Sequence, residues 1–301
     1  MKDASYVKTW IDIEIKKDRR VFQLRRTYNS RSLHQGLFGF GWCSDFEKRL
    51  DLSRSDQITL KDCRLNAPIK FLKKSPTQYE SADKEIIEYK DKIYTRTTAK
   101  KTLQKYNNLG LLINLTDTTQ DRLDITYDLG GFPKKITINN HTELKVKPDL
   151  LRQRIQSLST DKVPGATYRY EGKDLVHVKN SWNNQFNYQY DGTHNLVKVL
   201  YPDKTSEVLA YDPEKDWVVS INNRNKCLET FKFIQKTNSQ NYSATAEKRC
   251  NGKVITKTTY EFRHKARADG TKYLDQVQVT HGNKIQRVSY QNHTGPLNES
   301  Q

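Results

Sequence analysis

The side chains in this 301-residue sequence that could do metal, thiol or nucleophilic chemistry are few. They are seven histidines (His34, His141, His177, His194, His264, His281, His293), four cysteines and three Ser-x-x-Lys spacings, at Ser5/Lys8, Ser81/Lys84 and Ser159/Lys162. Metal sites need ligands placed close on one turn or one face, and neither H-E-x-x-H nor H-x-H occurs. His177 and His194 could approach across adjacent hairpins, and solvated or strand-face imidazoles are the simpler reading. Ser-x-x-Lys supplies a nucleophile and base only beside Ser-Asp-Asn and Lys-Thr-Gly partners, which this sequence lacks. There is no G-x-S-x-G elbow and no P-loop, and Asp117 and Asp121 fall in a polar, turn-like stretch. The residues therefore predict a protein that is not an enzyme, with no metal and no cofactor.

Two further motifs are structural on this reading. Gly36-x-x-Gly39-x-Gly41 would bind a nucleotide only between a parallel strand and a helix, and neither is indicated. It reads instead as a tight turn whose Phe38, Phe40 and Trp42 plug one end of a sheet. The cysteines Cys43, Cys63, Cys227 and Cys250 contain no C-x-x-C pair, so a zinc ribbon or a thioredoxin-like centre is disfavoured. Two readings stay open: four half-buried thiols, or the local disulfides Cys43–Cys63 and Cys227–Cys250, which would imply an oxidising compartment. The second pair is the favoured one, because Asn251-Gly252 beside Cys250 is a strong hairpin-turn signal.

The elements that must position these groups are strands. Val7, Thr9, Ile11, Ile13 and Ile15 alternate with Lys8, Trp10, Asp12 and Glu14. The same period of two recurs at Leu123–Tyr127, Phe186–Tyr190 and Val197–Tyr201. Short runs of this kind, bounded by Gly, Asn, Asp and Pro, read as antiparallel half-buried strands. The one plausible helix is Asp149–Leu158. Hydrophobic residues are only 35%, yet 10% of the chain is aromatic, which argues for a thin ring-rich core rather than disorder. No apolar run approaches the roughly 20 residues of a membrane-spanning helix. No signal peptide is visible, so the chain reads either as cytosolic or as a mature form whose leader was replaced by Met1.

A repeat organises the strands. Tyr106-Asn107, Tyr127-Asp128, Pro148-Asp149, Tyr170-Glu171, Tyr190-Asp191-Gly192 and Tyr211-Asp212 follow one another at about 21 residues. That length holds one hairpin of two short strands and two turns. Asp closes the turn with its side chain and Gly supplies a positive φ. One hairpin cannot bury its own face, so stability must accumulate along the array.

The Tyr-Asp-x-x-Gly/Asn-x-Leu units resemble the YD repeats of the Rhs (rearrangement hot spot) family. Upstream, Arg26-x-Tyr28-x-Ser30 followed by Gly36-x-x-Gly39-x-Gly41-Trp42 is similar to the segment that opens many Rhs proteins ahead of their repeats. The resemblance covers about residues 20 to 230. It implies a long spiralling sheet, which in large relatives closes as a shell around a toxic C-terminal domain, and an exported or cell-surface location. Some members bind carbohydrate. The family's release segment, Pro…Asp-Pro-x-Gly-Leu, is absent: Asp212-Pro213 is followed by Glu214-Lys215. An open or partial shell is therefore expected, with a strand-rich cap over 1–100 and a YD-repeat sheet over 101–301.

Charge is the remaining clue. The 52 Lys and Arg against 35 Asp and Glu leave +17. Much of this solvates strands and guards their edges. The rest points to an anionic glycan or envelope polymer, or to a protein cargo or partner. Nucleic acid is disfavoured because no recognition module is present. Trp182, Asn183, Asn184 and Gln185, between two strands, form the candidate ligand-binding turn, since a ring beside amides suits a sugar. The expectation is an exported, all-β, non-enzymatic binding or scaffold protein. The alternative is a short shell unit that assembles to enclose or deliver a toxin cargo.

Overall fold

The computed structural model describes residues 4–300 apart from 18–19, 64, 66–67, 99, 152, 236–239, 267–269, 271 and 292–294. Met1 and His293, both named from the sequence, lie outside the described residues, as does Arg19 of the Arg19-Arg20 doublet. The described residues hold strands and turns and no helix, so the fold is all-β with antiparallel pairing throughout. Two compact units are present: Val7–His194, and Met1–Tyr6 together with Asn195–Gln301.

The first unit begins with β1 (Val7–Lys17) and β2 (Arg20–Asn29). β3 (Gln35–Gly36), β4 (Gly39–Phe40) and β5 (Trp42–Ser44) follow. β1, β2 and β5 form a three-stranded sheet, and β3 pairs with β4. The alternation in β1 is not the simple one read from the sequence. Its register shifts between Ile11 and Ile13, and Trp10 and Asp12 turn inward before it, Ile13 and Ile15 after it. A β-bulge at Asp12 flips the strand's inner face, which a strict period of two cannot anticipate.

Eight short strands come next: β6 (Arg49–Asp51), β7 (Gln57–Lys61), β8 (Ile69–Ser75), β9 (Gln78–Ser81), β10 (Ile86–Lys90), β11 (Ile93–Thr97), β12 (Leu103–Tyr106) and β13 (Leu112–Thr116). Each pairs with the next, and the Leu50 N–H donates to the Gly110 carbonyl at 2.8 Å beside an Arg49–Leu111 bridge. These contacts bring β6 against the β12–β13 turn. Leu50, Ile58, Leu60, Phe71, Ile87, Tyr106 and Leu112 are fully buried in this stretch. The close approach depends on Gly110, at φ +75, because a Cβ there would stand 2.0 Å from the Leu50 carbonyl oxygen.

The hairpins continue through β14 (Arg122–Tyr127), β15 (Pro133–Ile138), β16 (Thr142–Pro148), β17 (Ile155–Ser159), β18 (Ala166–Glu171), β19 (Asp174–Lys179) and β20 (Gln185–Tyr190). Among the described residues the helix expected over Asp149–Leu158 is absent. The Asp149 carboxylate accepts the Gln153 and Arg154 N–H groups in a turn, and Ile155 opens β17. An Asp in that position closes a turn as readily as it caps a helix.

The second unit holds β21 (Leu196–Leu200), β22 (Ser206–Tyr211), β23 (Val218–Asn222), β24 (Cys227–Gln235), β25 (Tyr242–Cys250), β26 (Lys253–Ala266), β27 (Lys272–His281), β28 (Lys284–Gln291) and β29 (Gly295–Ser300). Ala4 caps β23 by accepting the Val218 N–H at 3.0 Å. Beyond β23 the strands lengthen, and their buried core contracts to Ala244, Phe262 and Val277.

Candidate functional site

Two constellations stand out, a tyrosine ladder and a buried cationic plug. In the ladder, a repeat tyrosine reaches back to the start of the adjacent, paired strand just before its own. The Tyr127 hydroxyl donates to the Leu112 carbonyl at 2.7 Å, Tyr170 to Ile155 at 2.7 Å, Tyr190 to Leu175 at 2.8 Å and Tyr211 to Leu196 at 2.9 Å. The separation is 15 residues in every case. A register shift falls just before Tyr106, Tyr127, Pro148, Tyr170 and Tyr211, so the same β-bulge recurs in these repeats. Tyr106 differs, donating to the Gln104 side chain at 2.8 Å. Burial pushes the Tyr106, Tyr127, Tyr170 and Tyr190 phenols well above their ordinary pKa of 10.0, so they stay protonated as donors.

The residue after each tyrosine sets the turn. Asn107, Asp128, Asp191 and Asp212 each accept a backbone N–H two residues on, a side-chain mimic of a β-turn. Gly192 follows Asp191, but the positive φ of that turn falls on His194. Asp212, the Asp-Pro aspartate, is engaged in its own turn.

The plug is built on Arg26. Its guanidinium is fully buried and donates to Asp12 at 2.9 and 3.2 Å and to the Tyr188 hydroxyl at 3.3 Å. Tyr168 donates to Asp12 at 2.9 Å. Nη1 has no hydrogen-bond partner; the guanidinium lies 4.1 Å over the Trp42 ring, a cation–π contact. Burial alone would lower the Arg26 pKa, and the adjoining Asp12 carboxylate reverses this, holding the group charged. Trp42 packs between Trp10, Tyr28 and Tyr188 at 5.1, 5.3 and 5.0 Å and donates its indole N–H to Tyr190 at 2.8 Å. Phe38 meets the Tyr168 ring at 5.0 Å, and the Phe40 N–H donates to the Lys173 carbonyl at 3.0 Å. Gly39, at φ +91, permits that approach: a Cβ would lie 2.6 Å from the Lys173 oxygen. Gly41 is held against Tyr28, and Ser30 follows the end of β2. The plug is thus the point where the N-terminal sheet and the hairpin strands share one core.

The remaining candidates are scattered. Trp182, Asn183, Asn184 and Gln185 are all exposed, on the β19–β20 turn and the first residue of β20. Asn180 holds that turn by accepting the Trp182 and Asn184 N–H groups. The Trp182 ring is 45% exposed. His177 engages Asn187 and His194 engages Asp174, so the two histidines serve separate contacts. His34, Glu47 and Cys63 lie close enough to suggest a metal site. Cys63 is consumed by its disulfide, however, and the Glu47 oxygens accept the Leu37 and Ser44 N–H groups at 2.6 and 2.7 Å. Ser81, of one Ser-x-x-Lys spacing, accepts the Glu85 N–H, while Lys84 pairs with Glu80.

Both disulfides are formed. Cys43–Cys63 has a Cα separation of 5.8 Å and Cys227–Cys250 one of 4.3 Å. The second joins directly opposed residues at the base of β24 and β25. Asp12, Glu47 and Asn180 were invisible to motif reading, since each is an isolated polar residue whose partners lie far off in sequence.

This geometry defines a class: antiparallel hairpins stapled by tyrosines, with an aromatic N-terminal plug. Residues 5–66 match a family described as Domain of unknown function (DUF6531). No curated protein matches the chain. Among solved structures, the crystal structure of TcdB2-TccC3 aligns over 98% of this chain and 21% of its own, at 12% identity and a TM-score of 0.35. TcdB2-TccC3-Cdc42 aligns over 98% and 20%, at 12% identity and a TM-score of 0.34. A Photorhabdus luminescens Tc holotoxin pore carrying a TccC3 mutation aligns over 79% and 14%, at 11% identity and a TM-score of 0.30. The chain thus spans about a fifth of the TcdB2-TccC3 structures.

Proposed function

We propose that this chain is a wall unit of a YD-repeat shell, a non-enzymatic scaffold that packs with further protein to enclose or carry a cargo. The observation that carries the reading is the tyrosine ladder with its repeated register shift. It converts hairpins that are unstable alone into one curved sheet whose curvature is set by the repeat. Asp12, Glu47, Asp128, Asp149, Asp191 and Asp212 spend their carboxylates on turns and ion pairs, which supports a structural role for them. Export is part of the proposal, supported by two disulfides in an otherwise cysteine-free chain. No helix among the described residues is long and apolar enough to cross a membrane. Glycan binding at Trp182–Gln185 is not part of it, because one exposed ring on a turn offers a sugar no second wall.

Size-exclusion chromatography with light scattering, followed by negative-stain microscopy, tests this. Concentration-dependent assembly into curved or closed particles is the expected result. A monomer at every concentration, with no protein captured from its native host, would overturn it.

A further inference from the structure

The turns that follow the repeat tyrosines all fall on one rim of the sheet, because every second connection of an antiparallel array lies at the same end. On three successive turns of that rim the tip is leucine. Leu109 is 63% exposed, Leu129 108%, Leu150 99% and Leu151 71%. Turns two strands apart stand about 10 Å from each other, so these side chains form a short row projecting beyond the strands. Turn tips are ordinarily polar, and the next two turns on the rim, around Gly172 and Gly192, carry no large apolar residue. The opposite rim is polar at its matching turns, Asp117–Asp121 and Asn139–His141. None of the four leucines packs into the core.

Cations flank the row. Lys105, Lys134 and Lys147 are exposed and lie within a few residues of the leucines. The acids beside it are engaged: Asp51, which lines one depression with Leu109, pairs with Lys61 at 2.9 Å, and Asp128 and Asp149 turn their carboxylates into their own turns to accept backbone N–H groups. Leucine tips backed by lysines match a bilayer interface, where apolar side chains enter the acyl boundary and ammonium groups meet anionic headgroups. A protein partner fits less well, since lysine is depleted at the centre of protein interfaces.

We propose that this rim docks on an anionic lipid surface through Leu109, Leu129, Leu150 and Leu151, with Lys105, Lys134 and Lys147 at headgroup depth. The site rests on the rim alone and stands or falls separately from the shell reading.

The test is co-sedimentation of the full chain with vesicles of phosphatidylcholine, with and without 30% phosphatidylglycerol (roughly the anionic fraction at which polybasic surfaces bind). The parent chain is expected to bind the anionic vesicles and to bind the neutral ones far more weakly. Each leucine contributes on the order of tenfold, so L109S/L129S/L150S/L151S is expected to lose at least about a hundredfold in partitioning. Its melting temperature should stay unchanged, since these side chains bury nothing. Lys105→Gln, Lys134→Gln and Lys147→Gln should each cost about fivefold on anionic vesicles only. Three results overturn the proposal. One is absence of parent binding to the anionic vesicles. Another is equal binding by the leucine variant, which would reduce the effect to net charge. The third is a leucine variant whose only change is loss of self-association, which would assign the row to a second copy of the chain.

Discussion

The hairpins between Tyr106 and Tyr211 use strands of four to seven residues. Those from Cys227 to Gln291 use strands of eight to fourteen. The first set buries one to three side chains per strand, and four of its repeat tyrosines staple their strand to the one before it. The second set has long ladders, a core of Ala244, Phe262 and Val277, and the stacked rings of Tyr242 and Phe262 at 4.4 Å. Both are antiparallel and aromatic. The difference lies in where the unfavourable entropy of a thin sheet is offset: between neighbouring units in one case, within each long hairpin and its disulfide in the other. A repeat of fixed length can grow indefinitely on the first plan. The second plan makes each hairpin its own solution, which is why the Tyr-Asp signature disappears after Tyr211.

Alkaline pH should separate the two regions most strongly. The ladder phenols have raised folded pKa values, so their contribution is fully present below the unfolded value of 10.0. It is lost as pH rises above that value, because only the unfolded chain then releases the protons. Each buried phenol costs about 1.4 kcal/mol per pH unit above 10, so Tyr106, Tyr127, Tyr170 and Tyr190 together cost roughly 5 kcal/mol by pH 11. Tyrosinate absorbance and hydrogen exchange followed together should show the repeats opening in one step. Phenols titrating smoothly near pH 10 with the repeats still protected would break the comparison.

Arg26→Ala comes next, at about 3–5 kcal/mol, since it leaves Asp12 buried without its counter-charge. Urea unfolding with exchange mass spectrometry should place the loss in residues 7–194, and Arg26→Lys should recover little because one ammonium cannot repeat the two-point contact. Below this stands the Cys227→Ser/Cys250→Ser pair. The bridge closes a span of 23 residues, and loops of that size are worth about 3 kcal/mol. Its loss should raise exchange in β24 and β25 and leave the Tyr127, Tyr170 and Tyr190 hydroxyl contacts intact.

What was readable in the sequence follows the range of the interactions. Strands, turns and the repeat rest on contacts within about twenty residues, so alternation and Tyr-Asp spacing revealed them, as did the local cysteine pairs. Three features rest on distant partners and left no mark. The bulge at Asp12 exists because its carboxylate must face Arg26 and Tyr168. The docking of β6 on the β12–β13 turn is a meeting of Gly110 with Leu50, two residues unremarkable in isolation. The turn at Asp149 looked helical because its acid and the apolar residues after it fit either structure. Trp182 was readable as exposed, but nothing local said whether other rings would join it.

The smallest expected effect gives the finest test of the staple. Tyr170→Phe keeps the ring and deletes one hydroxyl, leaving the Ile155 carbonyl without its 2.7 Å donor. A buried hydrogen bond of this kind is worth about 1 kcal/mol net. Tyr260, half-buried in the long-stranded sheet, stacks on Phe262 at 6.1 Å, so Tyr260→Phe keeps its contact. That change should stay within about 0.5 kcal/mol. Equal losses from the two substitutions would mean that the ladder hydroxyls only fill space. If they are staples, the Tyr170 change should also raise exchange at Ile155 and along β17, because the bond it removes joins that strand to β18. Combining Tyr170→Phe with Tyr190→Phe should then cost more than the two separately, since adjacent staples hold the same hairpin.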